Sequence, residues 1–386
     1  MTRDIRRSLC AGAVLVALAL GSCADKVVAP TPVVGWRSAG LELPDAEKTG
    51  GVHRITHIGS TLFAMDAYSE DSGLSGKKFR WRMWQGRVGS TQWSQLPMPG
   101  GEIPNRWVVI GDELFVGAKF SPNVYAYRPS AFTWRRLDLA PGKSDGGQWS
   151  VDLLAAWKGR LVVGVLDGMS NNHYSWVGSG DRQNPSWVLP RGIRGTVPPD
   201  QALDIGGTLY GIRPQMGIFR FRESDSTWEA LPSARGKTDP QEDEGVSAIG
   251  EFEGKLVVGY EGFWDGLFRW EGANWISMTP PSLDSAKLKE TPKTIRAILE
   301  YRGTLFMAGN GSTYFRTPKD PAVIQYGDWR LIEKNWCKIL NGCPGDSWGL
   351  VAIGDTLYSS AWSFIGKIPL DQLNESSRIL FPPVSR

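Results

Sequence analysis

Seven times along 386 residues the chain repeats one phrase: an apolar run, a glycine turn, a leucine and a second apolar run. As they stand, the copies are "ITHIGSTLFAMD" (Leu62), "VVIGDELFVGA" (Leu114), "LLAAWKGRLVVGV" (Leu161), "LDIGGTLYGI" (Leu209), "IGEFEGKLVVGY" (Leu256), "AILEYRGTLFMAG" (Leu305) and "LVAIGDTLYSSA" (Leu357). Successive leucines lie 52, 47, 48, 47, 49 and 52 residues apart. A period this regular restricts the chain to architectures that stack or ring one supersecondary unit.

Each copy continues in the same way. An aromatic strand follows ("NVYAYRP", "GIFRFRE", "GLFRWEG"), then a tight polar turn, then a tryptophan with an apolar residue after it. The closing tryptophans are Trp36, Trp93, Trp134, Trp187, Trp228, Trp275 and Trp329. Pieces such as "VYAY" and "IFRF" alternate with a period of two, and no segment has the length and periodicity of an amphipathic helix. A unit therefore reads as four short strands joined by turns, and 46 glycines and 25 prolines supply the turns. The expectation is an all-β fold, a seven-bladed β-propeller of four-stranded blades over residues 35–386. The first closing tryptophan precedes the first phrase and the last phrase lacks one, so the N-terminal strand from Trp36 to Leu43 is expected to complete the last blade and close the ring. A rival for that place is "SRILFPP", from Ser377 to Pro383.

The double glycine Gly206-Gly207, with Phe219 and Trp228 in "IGGTLYGIRPQMGIFRFRESDSTWEALP", resembles a kelch-type or galactose-oxidase-like propeller repeat. The segment "GLFRWEGANW" resembles related repeats of exported bacterial propellers. The resemblance covers residues 35–370 and implies the propeller fold.

The N-terminus carries Arg3, Arg6 and Arg7, an apolar run from Leu9 to Leu20, and small residues before Cys23. The run is too short for a membrane span of about 20 residues, and its order of features is that of a signal peptide. Leu20-Gly21-Ser22-Cys23 resembles the bacterial lipobox, which makes residues 1–22 a lipoprotein signal, Cys23 the lipid-bearing (palmitate) residue and residues 23–34 a Pro-bearing tether. Ala24 and not Asp follows the cysteine, which points to the outer membrane. Attachment is through lipid only. In an oxidising envelope Cys337 and Cys343, separated by an Asn-Gly turn, are placed to form a disulfide. The arginines of the signal, set against Asp4, account for +2 of the formal charge of +3, so the remainder has no basic stripe for nucleic acid.

Catalytic motifs are missing: no Gly-x-Ser-x-Gly elbow, no His-Glu-x-x-His and no phosphate loop before a helix. The three histidines are His53, His57 and His173, and the first two, four residues apart on a strand, stand about 13 Å apart, too far to share a metal. No cofactor and no metal are expected. Acidic loops carry Asp66, Glu70 and Asp71, and further on Asp239, Glu242, Asp243 and Glu244, and a carboxyl pair is all that glycoside hydrolysis requires. Just ahead of each expected inner strand stand Arg54, Arg106 and Trp107, Trp149 and Asp152, Asp200, Glu244, Arg296, and Trp348. These residues would line the channel mouth, where aromatic faces stack on sugars and Arg and Asp bond hydroxyl or carboxylate groups. Trp264, in the loop "YEGFWDG", has no counterpart in other copies and joins the candidate ligand-binding residues. The functional expectation is a binding module or scaffold for an envelope protein or surface glycan. The alternative is a glycan-active hydrolase or lyase using carboxylates and arginines at the mouth. A compact charged cluster at the mouth favours the enzyme, whereas a broad apolar or aromatic patch favours the scaffold.

Overall fold

A computed structural model of the chain describes residues 37–42, 49–71, 77–137, 149–167, 172–179, 186–188, 199–214, 216–224, 227–236, 245–261, 266–278, 295–309, 312–316, 329–333, 349–360, 364–372 and 378–379. All of these belong to one compact unit, Trp36–Arg386. Cys23, Cys337, Cys343, Trp264, Trp348 and Glu244, with the signal and tether, lie outside the described residues.

The described residues form antiparallel strands in seven sheets. After β1 (Arg37–Glu42), the first complete sheet is β2 (Thr49–Ile58), β3 (Thr61–Asp71), β4 (Lys77–Arg87) and β5 (Trp93–Gln95). The next sheets are β6 (Pro104–Ile110), β7 (Glu113–Ala118), β8 (Val124–Arg128) and β9 (Thr133–Leu137), and then β10 (Trp149–Trp157), β11 (Arg160–Asp167), β12 (Asn172–Ser179) and β13 (Ser186–Val188). They are followed by β14 (Gln201–Ile205), β15 (Thr208–Arg213), β16 (Gly217–Arg222) and β17 (Thr227–Ala230), and by β18 (Val246–Phe252), β19 (Lys255–Tyr260), β20 (Leu267–Trp270) and β21 (Trp275–Ser277). The last two contain β22 (Ile295–Tyr301), β23 (Thr304–Gly309), β24 (Ser312–Arg316) and β25 (Trp329–Glu333), and β26 (Gly349–Ile353), β27 (Thr356–Ser360) and β28 (Phe364–Pro369), with β29 (Arg378–Ile379) beyond. Side chains are described through the outermost strand in five of the seven sheets; the outer two strands of the β10 sheet and the outer three of the β22 sheet are described as backbone alone.

The recurring phrase is the hairpin between the first two strands of every sheet. Its turn has two residues, as in Ile58↔Thr61, Trp157↔Arg160 and Tyr301↔Thr304. Lys158-Gly159 and Glu253-Gly254 have φ of 50° and 71°, and 53° and 72°, the pattern of a type I′ turn, whose twist matches the flanking strands. The repeat leucine follows the turn and is buried in every copy: Leu62, Leu114, Leu161, Leu209, Leu256, Leu305 and Leu357.

Seven apolar clusters fill the spaces between sheets, each drawn from two neighbours. Phe63 and Met65 of the first complete sheet meet Leu114 and Val116 of the next. Leu153 and Trp157 meet Phe219 and Trp228. Ala39 and Leu41 of β1 meet Val52, Ile55 and Leu62. The contacts run round a ring: β2 touches β6, β6 touches β10, and so on to β26, which touches β2. The chain is thus an all-β propeller with four-stranded blades. Glycines on second strands admit the neighbouring sheet, since a Cβ on Gly117 would lie 2.3 Å from Val151 Cγ1 and one on Gly259 2.5 Å from Ile295 Cγ2. Trp275 packs against the cluster it shares with Trp270, 4.9 Å between ring centroids, and donates from Nε1 to Pro232 O at 2.8 Å.

The two chain ends take different sheets. β1 pairs antiparallel with β28, Arg37 opposite Lys367 and Ser38 opposite Gly366. β29 pairs with β25, Arg330 opposite Ile379, and is a fifth strand on that sheet. The rival segment therefore does not occupy the place beside β28.

Candidate functional site

The first strands of the sheets do not run evenly into their hairpins. In five of them the register slips by one residue at the same point: around His53, Asn105, Asp152, Ser247 and Arg296. Each stands nine residues ahead of its repeat leucine, as do Asp200 and Trp348. A bulge leaves its extra residue outside the ladder and turns a polar side chain away from the pleat. The repeat thus sets a polar group at the entry of successive inner strands. Sequence reading missed the bulge itself, although a polar or aromatic residue at one fixed offset in all seven copies was its visible trace.

Four consecutive sheets bring these groups together. Arg106 Nε donates to Asp152 O at 2.7 Å and its Nη1 to Asn105 O at 3.3 Å. Asn105 Nδ2 donates to Val151 O at 2.8 Å and to Asp152 Oδ1 at 3.2 Å, and Ser150 Oγ donates to the same oxygen at 2.7 Å. Asp200, whose backbone N–H donates to Ile212 O at 2.9 Å, faces Arg213 at 3.4 Å. Arg213 was not anticipated; it closes an otherwise apolar second strand, "TLYGIR". Arg54, immediately beyond the bulge of β2, makes no hydrogen bond or ion pair among the described residues.

Electrostatics ties the four sheets into one site. Burial, and then the like charge of Arg106, hold the Arg54 guanidinium down to about 9, with Asp200 a partial offset. Burial lifts Asp200 above the usual carboxylate range, helped by Asp152 and opposed by Arg213, Arg106 and Arg54. A guanidinium at about 9 is protonated at neutral pH, so the mouth carries a partly buried positive charge that Asp200 offsets only in part.

Other expected residues fall elsewhere. Trp107 is a correction: it is 8% exposed in the core between the sheets of β2 and β6, packed with Phe63 and Met65. It alternates with Arg106 along β6, and a period of two sends it to the opposite face. Trp149 is partly buried against the cluster of Val151 and Leu154. Arg296 sits on the bulge of β22 but is ion-paired with Glu261. Asp66, read as a loop carboxylate, is instead wholly buried on β3, accepting from Arg82 Nη2 at 2.7 Å and Trp84 Nε1 at 2.7 Å. Its hydrogen bonds make it a structural anion. Among the described residues the large exposed apolar side chains are Phe120 and Phe132.

This arrangement, polar groups on bulged inner strands around the axis of a ring of sheets, defines the chain as a β-propeller with a charged mouth. Among solved structures it is similar to virginiamycin B lyase from Staphylococcus aureus, 14% identical over 87% of this chain and 99% of that one, with a TM-score of 0.55. It is similar also to puromycin hydrolase, 14% identical over 91% of this chain and 58% of that one, TM-score 0.54. The extracellular domain of a hybrid two-component system from B. thetaiotaomicron gives 13%, 87% of this chain, 39% of that one and 0.53. At such identities the likeness is one of fold. No protein-family model matches the chain, and no curated protein matches it in sequence.

Proposed function

We propose that the protein is an exported, lipid-anchored binding module whose ligand enters at the propeller mouth. The observation that carries this reading is the convergence of Arg54, Arg106, Asp152 and Asp200 from four consecutive sheets, with one guanidinium lacking a counter-ion. Phe120 and Phe132 alone do not make a broad apolar patch, so a polar ligand such as a surface glycan suits the described surface better than a flat protein partner. In this reading Cys23 carries the lipid, residues 23–34 are the tether, and the glycine and tryptophan phrases are kelch-like repeats. The pairing of β1 with β28 serves as the latch of a seven-bladed ring.

A second reading rests on Asp200. A carboxyl group raised by burial beside a second carboxylate, Asp152, is the material of general acid catalysis on a glycan. Of the solved structures with a similar fold, one is a lyase and another, matched over 58% of its own length, a hydrolase.

The test is cross-linking of the full-length lipidated protein in intact cells, with mass spectrometry of what is captured and the Cys23→Ala variant alongside. Captured glycan, and release of Cys23→Ala from the membrane fraction, are expected. A stoichiometric envelope protein in place of glycan, or an unchanged membrane fraction for the variant, overturns the corresponding half of the proposal. Glycan recovered with newly formed chain ends transfers the weight to the enzyme.

A further inference from the structure

Arg54 and Arg106 occupy equivalent places, eight residues ahead of Leu62 and Leu114, on inner strands that touch. Each follows a bulge, at His53 and Asn105 respectively, so their positions are set by the repeat and not by a loop. Arg106 spends Nε and Nη1 on the carbonyls of Asp152 and Asn105, which fixes the guanidinium plane and leaves Nη2 without a partner among the described residues. Arg54 has no partner at all among them. Two neighbouring guanidiniums, one of them oriented by its scaffold, make a two-pronged receptor for an oxyanion, because the fork of N–H donors matches its geometry.

The surroundings narrow the choice of anion. The groups facing Arg54 and one another are Arg106, Arg213, Asp152 and Asp200. Among the described residues these are three cations against two carboxylates, one of which, Asp200, is raised toward its neutral form, so the cluster is net positive and favours an anion. Beside Arg106 stand the Ser150 hydroxyl and Asp152, with the Asn105 amide behind them, donating to Ser150 Oγ at 3.1 Å and to Asp152 Oδ1 at 3.2 Å. Such donors and acceptors suit a polyhydroxylated ligand.

We infer that the mouth binds an acidic glycan, with Arg54 and Arg106 clamping the carboxylate of a sugar acid while Ser150 and Asp152 meet neighbouring hydroxyls. This rests on the reading of the mouth as the binding site. Asp152 sets the sugar acid apart from a phosphorylated ligand, whose second negative charge it would meet.

The experiment is titration calorimetry with full-length protein in detergent, against uronic-acid oligosaccharides, their carboxyl-reduced counterparts and inorganic phosphate. Oligosaccharides containing galacturonate, glucuronate or mannuronate are the probes. At least one is expected to bind, with affinity falling tenfold or more on carboxyl reduction and weakening as salt rises. Arg54→Gln and Arg106→Gln should each lose tenfold or more, and the double variant little beyond either, as for one clamp. Arg220→Gln, removing a surface cation paired with Glu229 on an outer strand, should change nothing. The unliganded melting temperature of Arg54→Gln should equal or exceed that of the wild type, which separates lost binding from lost folding. Equal binding of the reduced sugars, abolished by Asp152→Asn, overturns the clamp and leaves the mouth as the site. Phosphate binding as tight as the sugar acid also overturns it. Silence from every acidic and neutral sugar overturns the clamp and the glycan reading together.

Discussion

Asp200 shows how a ligand site taxes the fold that carries it. Its carboxyl is partly buried at the mouth, and that burial lifts it above the usual carboxylate range despite Arg213 at 3.4 Å. The folded state therefore prefers the protonated form. The stability this contributes is complete below the ordinary carboxylate pKa and is lost as pH rises through the raised value. At neutral pH Asp200→Asn is expected to melt above the wild type. The difference should close as the pH is lowered through the titration of Asp200, as thermal melts of the two proteins at stepped pH will show. A variant melting below the wild type at neutral pH would mean that the Arg213 pair outweighs the burial. Sequence made Arg54, Arg106, Asp152 and Asp200 visible as candidates because each sits eight or nine residues ahead of a repeat leucine. It could not show that Arg213 faces them, since that contact joins the far end of a second strand to the mouth. Nor did it separate Trp107 from Arg106: adjacent residues on one strand look alike in a sequence and point to opposite faces in the sheet.

At the scale of the element, the hairpin was the most legible part of the chain. A two-residue turn with positive φ demands glycine, and the leucine after it lies in the core, so both are marked in every copy. The bulge ahead of the hairpin was not legible as a bulge, because one extra residue disturbs the alternation without changing the composition. Second-strand glycines have a reason that only packing reveals. Gly259 gives room to Ile295 of the next sheet, and a side chain there would collide with both Cβ and Cγ2. Gly259→Val is expected to lower stability by about 2–3 kcal/mol through overpacking, measured by urea unfolding. A loss within about 0.5 kcal/mol would show that the neighbouring sheet yields at little cost.

At the scale of the molecule, the two chain ends join their sheets differently. Leu41 on β1 is 1% exposed in the cluster that joins the β26 and β2 sheets, whereas β29 adds to a sheet that already has four strands. Leu41→Ala is expected to cost about 2–4 kcal/mol. Truncation after residue 372 removes β29, a fifth strand on its sheet, and none of the described residues of the seven clusters, and it should cost less. The reverse order in chemical denaturation would assign the closing role to the C-terminal strand instead. The pairing of β1 with β28 also sets a timetable. Arg37 is made early and its partner Lys367 some 330 residues later, a separation read directly from their numbers. At synthesis rates of about 5–20 residues per second the first strand waits tens of seconds for its neighbour, with an open apolar face and an unpaired edge on either side of the gap. A chain with this topology offers an open apolar face to any holding chaperone for that interval, and the pairing of its first strand is a race between the last hairpin and any other strand that reaches the gap first.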